Sequence, residues 1–144
     1  MPITVAWDNA ARTIVRIERT TPWDWSDFDR GVDDSYASIR SVDHIVYTIN
    51  IISADEKFPQ GRPMPHINRI VRQRPQYAGP TYIVGPQDPQ RSFSFGSVIF
   101  SAARKAKKKV ADTLRYVGSL DETYAAFAEL QRAEATWETE EESN

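Results

Sequence analysis

The chain has 144 residues, a formal net charge of -2, two histidines and no cysteine. That length suits one domain able to bury its core without disulfides or metals. The missing cysteines exclude thiol nucleophiles, zinc-thiolate centres and disulfide frameworks. The slight acidity gives no general pull towards nucleic acid, and no apolar run approaches bilayer length, so a soluble cytoplasmic protein is expected.

Residues 3–8 and 13–19 read as two strands joined by Asn9-Ala10-Ala11-Arg12, a polar link of hairpin length. In the second strand Ile14, Arg16 and Glu18 alternate with Val15 and Ile17, the pattern of unequally covered faces. Thr21-Pro22 should open a helix with threonine as cap and proline in the first turn. At about 100° per residue, Trp25, Phe28, Val32, Tyr36 and Ile39 share one arc of that helix. The run His44 to Ile52 is apolar on both alternating faces, as in an inner strand covered on two sides. Asn50 interrupts it and needs a hydrogen-bond partner or a cavity.

Residues 53–64 combine Pro59, Gly61 and Pro63 without periodicity and read as a loop. A short helix then starts near Pro65, with Ile67, Ile70 and Val71 along its apolar edge, and stops before Pro75. A strand over residues 81–84 leads to the turn-rich residues 85–90. Ser94 caps a third helix through Val110, with Arg104, Lys105, Lys107 and Lys108 opposite its apolar side. A strand over residues 113–117 precedes the capping box Ser119-Leu120-Asp121-Glu122, which opens a last helix with Tyr124, Phe127 and Leu130 as its buried stripe. The expected domain spans residues 1–135. Residues 136–144, with Glu138, Glu140, Glu141 and Glu142, read as an acidic tail.

The order β-β-α-β-α-β-α-β-α implies an α/β fold: a mainly parallel five-stranded mixed sheet with an antiparallel first strand, and four helices. With Val5-Ala6-Trp7-Asp8 at the start, Trp23-Asp24-Trp25-Ser26-Asp27-Phe28 at the first helix and Val117-Gly118-Ser119-Leu120-Asp121-Glu122-Thr123-Tyr124-Ala125 near the end, the chain resembles the STAS-like superfamily. Its nearest likeness is to the divergent bacterial SpoIIAA-like branch, the anti-sigma-factor-antagonist-like domains. The resemblance covers roughly residues 3–134 in element order. It implies a regulatory, non-enzymatic module that binds a protein partner. Switching members of that family carry a phosphorylated Ser or Thr at the start of the helix after the central strand. Residues 54–80 contain neither, and Ser53 lies directly after the strand, out of position for that role.

The residues expected to bind a protein partner, of unknown identity, are Phe58, Arg62, Met64, His66, Arg69 and Arg72, on the loop 53–64 and the helix that follows. On an exposed surface, His66→Ala or Arg69→Ala leaves folding intact. Symmetric association through this loop would give a homodimer. Trp7, Trp25, Tyr47 and Asn50 are the candidate lining of a pocket for a lipid or other small apolar ligand, with a carrier as the alternative function. His44, beside Asp43, reads as structural. Asp24, Asp27, Asp29, Asp33 and Asp34 lack the glycine and terminal glutamate of a calcium loop and read as a solvated helix face. No catalytic residue, metal site or cofactor is expected.

Overall fold

The computed structural model describes residues 2–20, 22–52, 59–84, 114–117 and 120–142. Its strands are β1 (Ile3–Trp7), β2 (Ile14–Arg19), β3 (Val46–Ile52), β4 (Ala78–Val84) and β5 (Leu114–Val117). The helices among the described residues are α1 (Trp25–Arg40), α2 (Met64–Gln73) and α3 (Leu120–Glu142). The helix expected over residues 94–110, its basic run and the loop 85–90 lie outside the described residues.

The strands lie in chain order across the sheet, β1 antiparallel to β2 and the remaining neighbours parallel. The class is therefore α/β with a mixed sheet, and the antiparallel strand is the first one. Stepping between adjacent parallel strands with a constant crossover hand puts consecutive helices on one face. Accordingly α1 and α2 pack with Val15, Ile17, Val46 and Ile83, whereas Phe127 and Leu130 of α3 cover Ile14, Tyr47, Ile49, Tyr82 and Val84 on the other.

Local chemistry sets several boundaries away from their expected places. The start of α1 is fixed by a capping box three residues beyond Thr21-Pro22. The Asp24 carboxylate accepts from the Asp27 N–H, and the Asp27 carboxylate accepts from the Asp24 N–H. Ile45 lies outside β3 and is 43 % exposed. In α3 the fully buried position is Thr123, four residues before Phe127, and Tyr124 turns outward so that its hydroxyl donates to Asp8 at 2.7 Å. The backbone of α3 stays helical to Glu142, beyond the expected tail boundary at residue 136; Glu, Ala and Gln are good helix formers. Gly31 makes the contact between α1 and β1 close: a Cβ there would sit 2.7 Å from Ile3 Cγ2.

Candidate functional site at the carboxyl end of the parallel strands

Both β2 and β3 run towards the end of the sheet where α1 and α2 begin, the end at which open α/β sheets bind ligands. Trp23, just before the Asp24 cap, and Trp25 and Phe28, in the first turn of α1, form one aromatic knot. Trp23 and Trp25 meet edge-on at 5.6 Å, Trp23 and Phe28 stack at 6.0 Å, and Trp25 and Phe28 meet edge-on at 5.3 Å. The Arg19 guanidinium lies 5.7 Å from the Trp23 ring centroid, and Arg19 is only 3 % exposed.

The start of α2 closes over this knot. Gly61 has φ +115°, a left-handed value that favours glycine, and a Cβ there would come within 3.2 Å of Trp25 Cδ1. His66 then lies flat on Trp25, ring centroids 4.6 Å apart and planes 9° from parallel. Its Nδ1 is 2.9 and 3.0 Å from the two Asp29 oxygens, so with an ionised Asp29 this nitrogen is the donor. Nε2 has no partner among the described residues, and the side chain is 23 % exposed. Bonded to a carboxylate at its edge and stacked on an indole, the imidazole is held in one orientation.

Further along, the two helices are joined by a polar ladder. Arg69 donates to Asp33 at 2.8 Å, the Tyr36 hydroxyl donates to the Ile70 carbonyl at 3.1 Å, and Arg40 donates to the Gln73 carbonyl. Burial pushes the Tyr36 phenol up to about 12, with Arg74 and Arg40 pulling weakly the other way. Burial also lowers the Arg74 guanidinium, which donates to the carbonyls of Ala78 and Gly79.

Of the expected partner-binding residues, Arg62 and Arg72 are exposed, whereas Met64, His66 and Arg69 are half-buried; Phe58 lies outside the described residues. His66 and Arg69 are therefore not free surface groups, because α1 claims both. The expected pocket lining does not converge either. Asn50 and Tyr47 are three apart in one strand, and the two-residue repeat sends them to opposite faces. Tyr47 stacks on Phe127 at 4.8 Å under α3, while Trp25 lies with α1 on the other face. Trp7 is paired with Val15, in the opposite half of β2 from Arg19. Asn50 does carry an unmet need: its Oδ1 is buried without a hydrogen-bond partner among the described residues, between register partners Ile17 and Ile83. His44 is tied by Nε2 to the Arg12 carbonyl at 2.9 Å.

Asp29, Asp33, Trp23 and Arg19 were not expected here. A signal for the first two exists: carboxylates four apart on one helix, and His66 and Arg69 three apart on the next, are complementary stripes on consecutive crossover helices. Arg19 sits at the end of the Val15, Ile17 alternation and so belonged to the buried face. Among the described residues no group of three His, Cys, Asp or Glu is arranged to hold a metal ion. No helix among them is long and apolar enough to cross a membrane. The chain matches no family model, no curated protein and no solved structure.

Proposed function

We propose that the chain is a cytoplasmic, non-enzymatic regulatory module of the STAS-like, SpoIIAA-like type, which binds a protein partner through the outer stripe of α2. One observation carries the reading. The inner stripe of α2 is pinned to α1, while Pro65, Asn68 and Arg72, at the three- and four-residue spacing of one helix face, are exposed, as is Arg62 just ahead of the helix. Neither Arg62 nor Arg72 has an ion-pair partner among the described residues, so an acidic, polar partner surface fits best. A photo-crosslinking amino acid at position 72, compared with one at Asp121 on α3, tests this in the native host. The expected result is one discrete adduct from position 72, lost on Arg62→Glu. Equal or absent adducts at the two positions count against it.

A carrier of a small ligand is the second reading, favoured by the unmet Asn50 Oδ1. It requires a ligand that donates a hydrogen bond on the α1–α2 face. Native mass spectrometry of protein from the host tests it: a bound small molecule retained by the parent and lost in Asn50→Leu supports a carrier.

A further inference from the structure

We propose that His66 is a phosphoryl-acceptor site, modified at Nε2. An imidazole oriented through Nδ1 by a carboxylate has three chemical uses: metal ligand, general base and nucleophile. Among the described residues no second and third donor gather around His66 for a metal. A general base further requires a substrate held against it. A nucleophile needs the least: a fixed ring, an available lone pair and a way to disperse the charge that forms.

All three are present. Trp25 and Asp29 fix the ring, and Nε2 has no hydrogen-bond partner among the described residues, on a side chain that is 23 % exposed. The Nε2 lone pair attacks the phosphorus of a phosphoramidate or acyl-phosphate donor. The N–P bond forms as the donor's P–N or P–O bond breaks, and the leaving group departs with that electron pair. The positive charge developing on the imidazole is shared through Nδ1–H with Asp29, which accepts the bond at 2.9 Å. Arg69, three residues on in α2, is engaged by Asp33, and the exposed Arg62 lies four residues before His66 in the chain. The first turn of α2 adds the positive end of its dipole.

The chain contains its own comparison, because its second histidine, His44, must release the Arg12 carbonyl to free Nε2. The full chain is treated with potassium phosphoramidate, a donor whose nitrogen leaves as ammonia, and labelling at each histidine is followed by mass spectrometry and phosphorus NMR. His66 should label roughly tenfold faster than His44, at Nε2, and Asp29→Asn should slow His66 by roughly tenfold or more while leaving His44 unchanged. His66→Gln should leave only the slow site. Equal rates at the two histidines, or labelling of His66 at Nδ1, overturn the proposal in the parent protein alone, whatever the stability of any variant. An unchanged His66 rate in folded Asp29→Asn also overturns it. No protein partner enters the assay, so its outcome is separate from that of the partner-binding reading.

Discussion

Removing the His66 side chain tests whether the α1–α2 seam has the strength its geometry implies. The ring stacks on Trp25 at 4.6 Å, a contact of about 0.5–1.5 kcal/mol for an aromatic pair. It also bonds Asp29, with the two side chains 23 % and 29 % exposed, so solvent screens the pair and the bond contributes about 0.5–1.5 kcal/mol. His66→Ala should therefore cost about 1–3 kcal/mol. Against a typical total of about 5–15 kcal/mol the protein still folds, with a melting point lower by roughly 5 °C. Urea unfolding followed by tryptophan fluorescence measures the loss. A double-mutant cycle with Asp29→Ala should return a coupling of about 1 kcal/mol, and one with Asp43→Ala none. A cost below about 0.3 kcal/mol, or no coupling to Asp29, would refute the seam as drawn.

Gly31→Ala gains up to about 1 kcal/mol of helix propensity. It also drives a methyl to 2.7 Å from Ile3 Cγ2, an overpacking cost of about 1–3 kcal/mol, so a net loss is expected in the urea midpoint. Gly61→Ala combines a left-handed φ with a tight approach to Trp25 and should cost about 1–2 kcal/mol, with a changed emission from Trp25 at the start of α1. Tyr36 gives an alkaline signature. Its phenol rises from 10.0 to about 12 in the fold, so the unfolded chain ionises first. The associated stability is intact below about pH 10 and is lost as pH rises through about 12, a fall of roughly 2–3 kcal/mol. Tyr36→Phe should flatten that part of the stability-pH curve, and an unchanged curve contradicts a buried phenol.

The sheet was legible because its pattern has a short period. Val15 and Ile17 against Ile14, and the doubly apolar run ending in Ile52, state directly which strand is covered on which side. The apolar arc of α1 was legible for the same reason. The site was less so, because its decisive contacts join residues 37 and 36 apart in the chain, His66 with Asp29 and Arg69 with Asp33. Read singly, each is a charged residue on a helix and looks solvated. Only the same-face rule for consecutive crossovers makes the two stripes partners. Aromatic character alone suggests Tyr47 for the pocket, whereas its parity with Asn50 separates the two.

The polar ladder has a consequence for binding. An inner stripe held by His66, Arg69 and the Ile70 and Gln73 carbonyls fixes the rotation of α2 against α1. The outer stripe of Pro65, Asn68 and Arg72 is then presented with little freedom, and a partner that uses it need not order the helix on docking. Changes to the two stripes should separate. Inner-stripe substitutions lower stability and weaken binding only as far as they loosen the helix, whereas Arg72→Ala leaves the urea midpoint within about 0.5 kcal/mol and acts on the partner directly. A phosphoryl group on His66 would sit at the boundary between the stripes. It would add negative charge at the start of α2 without breaking the Nδ1 bond to Asp29, so the charge of that end of the helix changes while the seam beneath it stays closed.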